Sequence, residues 1–240
     1  MTEPLVLAER ERDTVWLTLN RPQQLNAVDI RMRDELWSLL TLLGEDPTVR
    51  VAVLRGAGDR AFSAGADITE FGSAPSYMEA RDARLGRDLW GLMSRLPVPM
   101  IAAIHGFALG AGLEMALLCD LRVASEDARF ALPEVTLGYI PSAGGTQSLP
   151  RHTALGEALR MVTSGEQLDA ARAHEIGLVH AVVPRERLEP TARAWAERLA
   201  ERDPVALRQT KRAVIEGLDL SLAQGLALER RLAAAVAVGR

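Results

Sequence analysis

Cysteine and lysine are nearly absent from this sequence, and it has no long apolar run. The one cysteine, Cys119, excludes a disulfide within the chain and fits a reducing compartment. The one lysine, Lys211, stands among 28 basic residues against 32 acidic ones, and no basic block marks a nucleic-acid surface. No apolar run approaches the roughly 18 residues of a membrane span, and the first residues resemble no targeting leader. We therefore expect a soluble, cytoplasmic protein without nucleic-acid or membrane partners.

The rest of the composition is that of a globular protein, because 240 residues with 48% apolar content can bury a substantial core. Short, apolar, β-prone stretches occur at 15–20, 49–54 and 100–105, with shorter ones at 121–124 and 129–132. Stretches with helical spacing alternate with them, at 29–43, 76–96 and 113–119. This alternation predicts an α/β fold with mostly parallel strands.

The pattern changes at about residue 154, after which helical spacing extends almost to the end of the chain. The clearest helices are predicted at 188–202, 205–217 and from 221 onward. The sequence therefore predicts an α/β core to about residue 180, followed by a helical region.

Three segments combine small residues with side chains capable of chemistry. Residues 63–67 (SAGAD) follow a strand and can offer backbone N–H groups, although this segment alone is better explained as a simple strand-to-helix turn. Residues 110–114 (GAGLE) open a helix whose first N–H groups lack intrahelical partners. Glu114 heads that mostly apolar helix, as either a dipole partner or a working acid. Glu134, after a strand and a proline, is by itself an ordinary surface residue.

Together these loops predict one pocket in which backbone donors stabilise an oxyanion while two carboxylates handle protons. Other chemistries fit less well. Ser142 lacks the G-x-S-x-G elbow of serine hydrolases, and the glycines match no dinucleotide or phosphate-loop pattern. Cys119 lies in an apolar stretch as a buried thiol. Neither a zinc motif nor a triad-like grouping appears among the four histidines, His105, His152, His174 and His180.

Four ordered stretches resemble the crotonase (enoyl-CoA hydratase/isomerase) superfamily, specifically its hydratase branch: LNRPQQLNAV at 19–28, AFSAGADI at 61–68, IHGFALGAGLEMALLCDLRVAS at 104–125 and FALPEVTLGYIPSAGGTQSLPR at 130–151. The resemblance extends from about residue 5 to the end. It implies an α/β, crotonase-like spiral of ββα units over 1–180 and a helical C-terminal region over 181–240, shorter than in most relatives.

The resemblance also implies an activity, the reversible syn addition of water to a 2-enoyl-CoA to give a 3-hydroxyacyl-CoA. The backbone N–H groups of Ala66 and Ala111 would form the oxyanion hole. Glu134 would deliver a proton to Cα, and Glu114 would orient and activate the water. Another reaction of the superfamily (isomerisation, decarboxylation or ring cleavage) and a non-catalytic CoA-binding subunit remain the alternatives.

Substrate contacts and assembly also follow from the resemblance. Coenzyme A would lie across six residues: Gln24, Ala27, Ala64, Asp67, Ile68 and Lys211. Because coenzyme A is part of the substrate, no further cofactor and no metal are expected. A homotrimer or a hexamer formed from two trimers is expected, with a role in fatty acid metabolism. Ser142 stands where relatives usually carry glycine, which adds a hydroxyl near the expected site.

Overall fold

The protein has a main sheet of six strands. The computed structural model describes residues 3–70 and 86–238 of the chain. The sheet has the spatial order β1–β2–β3–β5–β7–β10. Its strands are β1 (Val6–Glu11), β2 (Thr14–Leu19), β3 (Val51–Gly56), β5 (Met100–Ile104), β7 (Leu121–Ser125) and β10 (Ala181–Val183). Only β1 and β2 pair antiparallel, and the other neighbours are parallel. The expected, mostly parallel pairing is confirmed.

A second sheet of four very short strands lies in the order β4–β6–β8–β9. These strands are β4 (Ala61–Ser63), β6 (Phe107–Leu109), β8 (Arg129–Ala131) and β9 (Leu168–Asp169). Each of the first three closely follows a strand of the main sheet. The second sheet therefore collects at one place the segments that leave β3, β5 and β7.

Nine helices complete the described part of the chain. They are α1 (Ile30–Glu45), α2 (Leu89–Arg95), α3 (Ala111–Leu117), α4 (Gly145–His152), α5 (Leu155–Ser164), α6 (Ala170–Glu175), α7 (Leu188–Ala200), α8 (Pro204–Gly217) and α9 (Leu222–Val238). As predicted, Asp29 begins α1, where its side chain accepts a hydrogen bond from Met32 N at 2.7 Å. Over residues 3–70 and 86–238, no helix combines the length and apolar character needed to cross a membrane.

Both faces of the main sheet are covered, as a parallel sheet requires. Successive residues of a strand point to opposite faces. On β3, Ala52 and Leu54 accordingly belong to the large core with α1 and α3, whereas Val51 and Val53 pack with α7. The sheet is thus buried between two layers of helices.

Several elements differ from the sequence expectation. The stretches 62–67 and 106–112, predicted to be loops, contain parts of the three-residue strands β4 and β6. The helix expected at 113–119 begins two residues earlier, at Ala111. Two strands interrupt the expected C-terminal helices, and the second of them, β10, lies just past the predicted division at residue 180. The helix predicted over 76–96 lies outside the described residues up to residue 85, and its last part is α2 (Leu89–Arg95).

Leucine truncations on α1 test the assignment of its buried face. Leu36 is fully buried in the main core, while Leu42 on the same helix is 64% exposed. Leu36→Ala should lower the free energy of unfolding by about 2–5 kcal/mol, because it removes buried methyl groups and leaves a cavity. Leu42→Ala should change it by less than about 0.5 kcal/mol. Chemical denaturation of both variants checks this, and equal losses would contradict the assigned face.

Candidate active site

Glu114 is a buried carboxylate near the start of α3. Glu114 is only 2% exposed. Charged side chains are seldom buried without a partner. Its Oε1 atom accepts hydrogen bonds from Gly145 N at 2.7 Å and Ala143 N at 2.9 Å. Both donors lie at the start of α4, where backbone N–H groups have no acceptor within the helix. The sequence placed Glu114 correctly in a first turn, but the donors come from a segment about 30 residues later.

The pKa of Glu114 is raised to about 7, mainly by burial. The two backbone hydrogen bonds lower it, and the nearby Glu134 carboxylate adds to the rise. Desolvation disfavours the charged form, and a neighbouring negative charge acts in the same direction. Glu114 can therefore exchange a proton near neutral pH.

Glu134 approaches the site from the 3₁₀ turn Pro133–Leu137. Burial also raises the pKa of this carboxyl group. Its Oε2 atom is buried and has no hydrogen-bond partner within the described part of the chain. Its Oε1 atom lies 2.9 Å from the position a Cβ would take on Gly110. Glu134 is thus a second acid of the same site, close to the turn that opens α3.

Gly110 and Gly65 bring the two small-residue loops together. Gly110 has φ 48° and ψ −126°, a conformation that side chains disfavour, and it makes the sharp turn from β6 into α3. Gly65 has φ 100°, and a Cβ there would lie 2.8 Å from Leu109 O and 3.5 Å from Ala111 N. Only a residue without a side chain allows this close approach of the two backbones.

Two backbone N–H groups at this junction are available to a ligand. Ala66 N and Ala111 N donate to no acceptor in residues 3–70 or 86–238. The amides on either side of Ala66 are occupied, since Gly65 N donates to Ser63 Oγ at 3.2 Å and Asp67 N donates to Val28 O at 3.0 Å. Two such donors at adjoining loops can stabilise negative charge on one oxygen.

A polar scaffold that sequence reasoning missed fixes the first loop. Asn26, fully buried, accepts from Arg21 N at 3.0 Å and donates to Ala57 O at 2.9 Å and Ala61 O at 2.8 Å. Ser63 Oγ donates to Asn26 O at 2.8 Å. Asn26 and Ser63 each stand between apolar residues in the sequence, and such an isolated polar residue is a local sign of a buried hydrogen-bonding role.

Five residues predicted to contact coenzyme A lie on two adjoining segments, 24–28 and 64–68. Ala64 N donates to Leu25 O at 2.9 Å. Arg21 joins the segments, since its Nη1 lies 2.7 Å from Ala27 O and 3.0 Å from Asp67 Oδ2. Gln24 is exposed, and so is Ile68, which is 65% exposed. The structure therefore gathers Gln24, Ala27, Ala64, Asp67 and Ile68 on one rim, near Ala66.

Lys211 is not brought to this rim by any described contact. Its Nζ atom forms an ion pair with Asp120 Oδ2 at 2.7 Å and donates to Val98 O at 3.0 Å, two residues before β5 begins. Ser142 is an exposed residue directly before Ala143, whose N–H group binds Glu114. Within residues 3–70 and 86–238, no group of three or more His, Cys, Asp or Glu side chains could hold a metal ion.

The arrangement combines two acids of raised pKa with two backbone donors that have no acceptor in residues 3–70 or 86–238. Such a site can stabilise an oxyanion formed from a bound carbonyl group while moving protons on the adjoining carbon atoms.

Comparison with known proteins gives consistent matches. A family model described as enoyl-CoA hydratase/isomerase matches residues 9–237. The chain is 38% identical over 232 residues to a probable enoyl-CoA hydratase of Mycobacterium tuberculosis, covering 97% of this chain and 89% of that one. It is 40% identical over 227 residues to the 2,3-dehydroadipyl-CoA hydratase of Escherichia coli, covering 95% and 88%.

A solved structure gives the same result for the fold. The crystal structure of an enoyl-CoA hydratase from Bacillus anthracis superposes with a TM-score of 0.90 at 39% identity, covering 95% of this chain and 89% of that one. The predicted α/β fold class is confirmed by this likeness.

Replacing Glu114 tests the balance between its burial and its hydrogen bonds. Its pKa is raised from 4.5 to about 7, so the folded state loses stability as pH rises through that range. Glu114→Gln can keep the two accepted hydrogen bonds without a charge. The variant should therefore gain stability over the wild type between about pH 4.5 and 7, reaching up to about 3 kcal/mol above neutrality.

The measurement is chemical denaturation at pH 5 and pH 8.5. Glu197→Gln, on the exposed surface of α7, is the control and should differ from the wild type equally at both pH values. A Glu114→Gln advantage that is the same at both pH values, or larger at pH 5, would refute the account.

Proposed function

The chain belongs to the enoyl-CoA hydratase/isomerase family and is an enzyme of the hydratase type; from this premise we propose how its residues add water reversibly across the double bond of a 2-enoyl-CoA. The observation that carries the proposal is the pairing of Glu114 and Glu134, two acids of raised pKa, beside the free N–H groups of Ala66 and Ala111. Hydration needs both kinds of group, because a proton and a hydroxyl must reach adjacent carbons while the thioester carbonyl accepts charge.

The thioester oxygen binds to Ala66 N and Ala111 N in this proposal. When water oxygen bonds to Cβ, the π electrons of the double bond move toward the carbonyl and form an enolate. Each backbone donor that meets the enolate oxygen contributes about 2.7–4 kcal/mol to transition-state stabilisation in enzymes where such a donor was removed. The side chains of Ala66 and Ala111 are not required, since the donors belong to the main chain.

The two glutamates then handle the water. Glu114, held by Ala143 N and Gly145 N, orients the water and activates it for attack on Cβ. Glu134 delivers a proton to Cα, and its buried Oε2 atom, without a protein partner in the described chain, is free to carry that proton. Water oxygen thus ends on Cβ and the proton of Glu134 on Cα, giving the 3-hydroxyacyl-CoA. The proton that the water loses passes to Glu114, and a proton must return to Glu134 before the next turnover. Support comes from the raised pKa of both acids, since a carboxyl group transfers protons best near its own pKa.

Coenzyme A lies, in this proposal, along the rim of Gln24, Ala27, Ala64, Asp67 and Ile68. Support comes from the contacts that join the two segments and from the exposure of Gln24 and Ile68. Arg21 neutralises Asp67, which removes a negative charge that would repel the phosphates. Lys211 is paired with Asp120, so a contact to the nucleotide would require this ion pair to open. The reaction uses the coenzyme A of its substrate and no separate cofactor.

We further propose that the enzyme works in the cytoplasm as a homo-oligomer, a trimer or hexamer, in the metabolism of fatty acyl-CoA compounds. Support for association comes from large apolar side chains exposed on the last helices, among them Val214 at 59%, Leu218 at 64% and Leu222 at 80%. Exposed apolar surface of this kind favours protein contacts. The free, buried thiol of Cys119 fits a reducing compartment.

Conversion of each glutamate to glutamine tests the proposed chemistry. Glu114→Gln and Glu134→Gln should each lower kcat for crotonyl-CoA by about 10²–10⁴-fold, because each removes one proton-transfer group. Loss of the conjugated enoyl absorbance reports turnover, and calorimetry with an unreactive acyl-CoA should show binding retained. Glu126→Gln, at an exposed position, should be fully active. Full activity of Glu114→Gln would instead favour isomerisation or a related reaction.

Gly65→Ala tests the proposed oxyanion hole without removing a donor. A methyl group there would lie 2.8 Å from Leu109 O and 3.5 Å from Ala111 N and would push the two loops apart. We expect kcat/KM to fall by about 10²-fold, the effect of losing one donor. Gly177→Ala is the control, since Gly177 also has a positive φ of 79° but its added methyl would have only an ordinary contact, 3.5 Å from His152 O. Equal activity of the two variants would exclude this role for the loops.

A further inference from the structure

Arg122 is a buried cation without a carboxylate partner in the described part of the chain. It is 1% exposed, and burial lowers its pKa to about 10. Its Nε donates to Leu178 O at 2.7 Å, and its Nη1 donates to Cys119 O at 2.7 Å, just beyond the end of α3. Its Nη2 lies 3.2 Å from Nδ1 of His152. A buried charge is costly unless its donors are used, and here they are used at the end of the helix that carries Glu114.

His152, the last residue of α4, connects the two helices. Its Nε2 lies 2.8 Å from Leu117 O, the carbonyl of the last residue of α3. Because a carbonyl only accepts, Nε2 carries the proton, and Nδ1 is then the acceptor for Arg122. Burial and the charge of Arg122 lower the pKa of His152 to about 4, so the ring is neutral near neutral pH. Arg122 therefore fixes the ring so that it donates to α3.

Two contacts join α4 to α3, one at each end of α4, and the first of them is at the catalytic carboxylate. Gly145 N, at the first residue of α4, donates to Glu114 Oε1, while His152, at the last residue, donates to Leu117 O. These two contacts lie about 10 Å apart along α4. The two contacts tie α4 to α3 at both ends of α4, and without the second contact the polar link between the helices is the one at Glu114.

We propose that His152, oriented by Arg122, is a positioning residue that keeps the N-terminus of α4 aligned with the carboxylate of Glu114. The role rests on the proposed function, because it acts through Glu114. Without the contact to Leu117 O, the N–H groups of Gly145 and Ala143 move away from Glu114 Oε1. The ionised carboxylate then loses hydrogen bonds, and the water it orients is misplaced.

The titratable groups near this pair in the described part of the chain include His180, Asp120 and Glu114. His180 packs against Arg122 from the segment before β10, where its Nδ1 accepts from Arg122 N at 3.0 Å. Asp120 is occupied by Lys211 Nζ and Met100 N, each at 2.7 Å. Glu114 itself faces Glu134. None of these groups bridges α3 and α4, so the link between the two helix ends depends on His152.

Two amide variants separate the two contacts of the imidazole. His152→Gln places an amide N–H near the Nε2 position and can still donate to Leu117 O. His152→Asn is shorter; it can accept from Arg122 but does not reach α3. His152→Asn should lower kcat about tenfold with little change in KM, as small misplacement of a catalytic group does. His152→Gln should stay within about threefold of the wild type, and so should His174→Ala, the exposed control.

A second readout does not depend on turnover. The pKa of Glu114, followed by carbon NMR of labelled carboxyl groups and assigned with Glu114→Gln, should rise in His152→Asn and stay unchanged in His152→Gln. The direction follows because the bonds from Ala143 N and Gly145 N lower this pKa. Arg122→Lys, which keeps the charge but lacks the planar fork, should resemble His152→Asn and replaces it if that variant does not fold.

The outcomes separate the two proposals. If His152→Asn and Arg122→Lys both keep the wild-type kcat and the wild-type pKa of Glu114, the positioning role is wrong. The same holds if His152→Gln is as impaired as His152→Asn, because the contact to α3 would then not matter. If the pKa of Glu114 changes as described but the wild-type protein hydrates no enoyl-CoA, the positioning role stands and the proposed function fails.

Discussion

The site depends on two hydrogen bonds, those that Gly145 N and Ala143 N donate to the buried carboxylate of Glu114. An unpaired carboxylate at this depth would be strongly destabilising. The start of α4 must therefore lie against α3. The segment between β8 and α4 must then pass close to Glu114. That closure brings Glu134 beside the turn at Gly110. One electrostatic requirement thus positions both acids and the turn that exposes Ala111 N.

Opposing effects on Glu114 suit it to proton chemistry. Burial raises its pKa, the backbone donors lower it, and the result lies at about 7. Above that pH the folded state is less stable, because the carboxylate must then be ionised within the protein. Alignment of the two donors therefore affects both the stability of the protein and the pKa of Glu114. The contact that His152, oriented by Arg122, makes with the end of α3 helps to maintain this alignment.

Sequence patterns predicted much of this structure where the signal is local. The strands near 15–20 and 100–105, the cap at Asp29 and the first-turn position of Glu114 all follow from short-range rules. The strands Ala61–Ser63 and Phe107–Leu109 escaped prediction because a segment of three residues is too short to show strand periodicity and forms a strand only through its tertiary neighbours. The pairing of Lys211 with Asp120 and the contact of Arg122 with His152 link residues distant in sequence, so no local pattern could reveal them.

The central claim is that one thioester oxygen meets the backbone donors of both small-residue loops while the adjoining carbons face the two glutamates. A crystal structure of the protein with a bound, unreactive acyl-CoA thioester tests it most directly. The carbonyl oxygen is expected about 3 Å from both Ala66 N and Ala111 N, with Cα directed toward Glu134 and Cβ toward Glu114. A thioester whose carbonyl oxygen lies away from these two N–H groups would contradict the account.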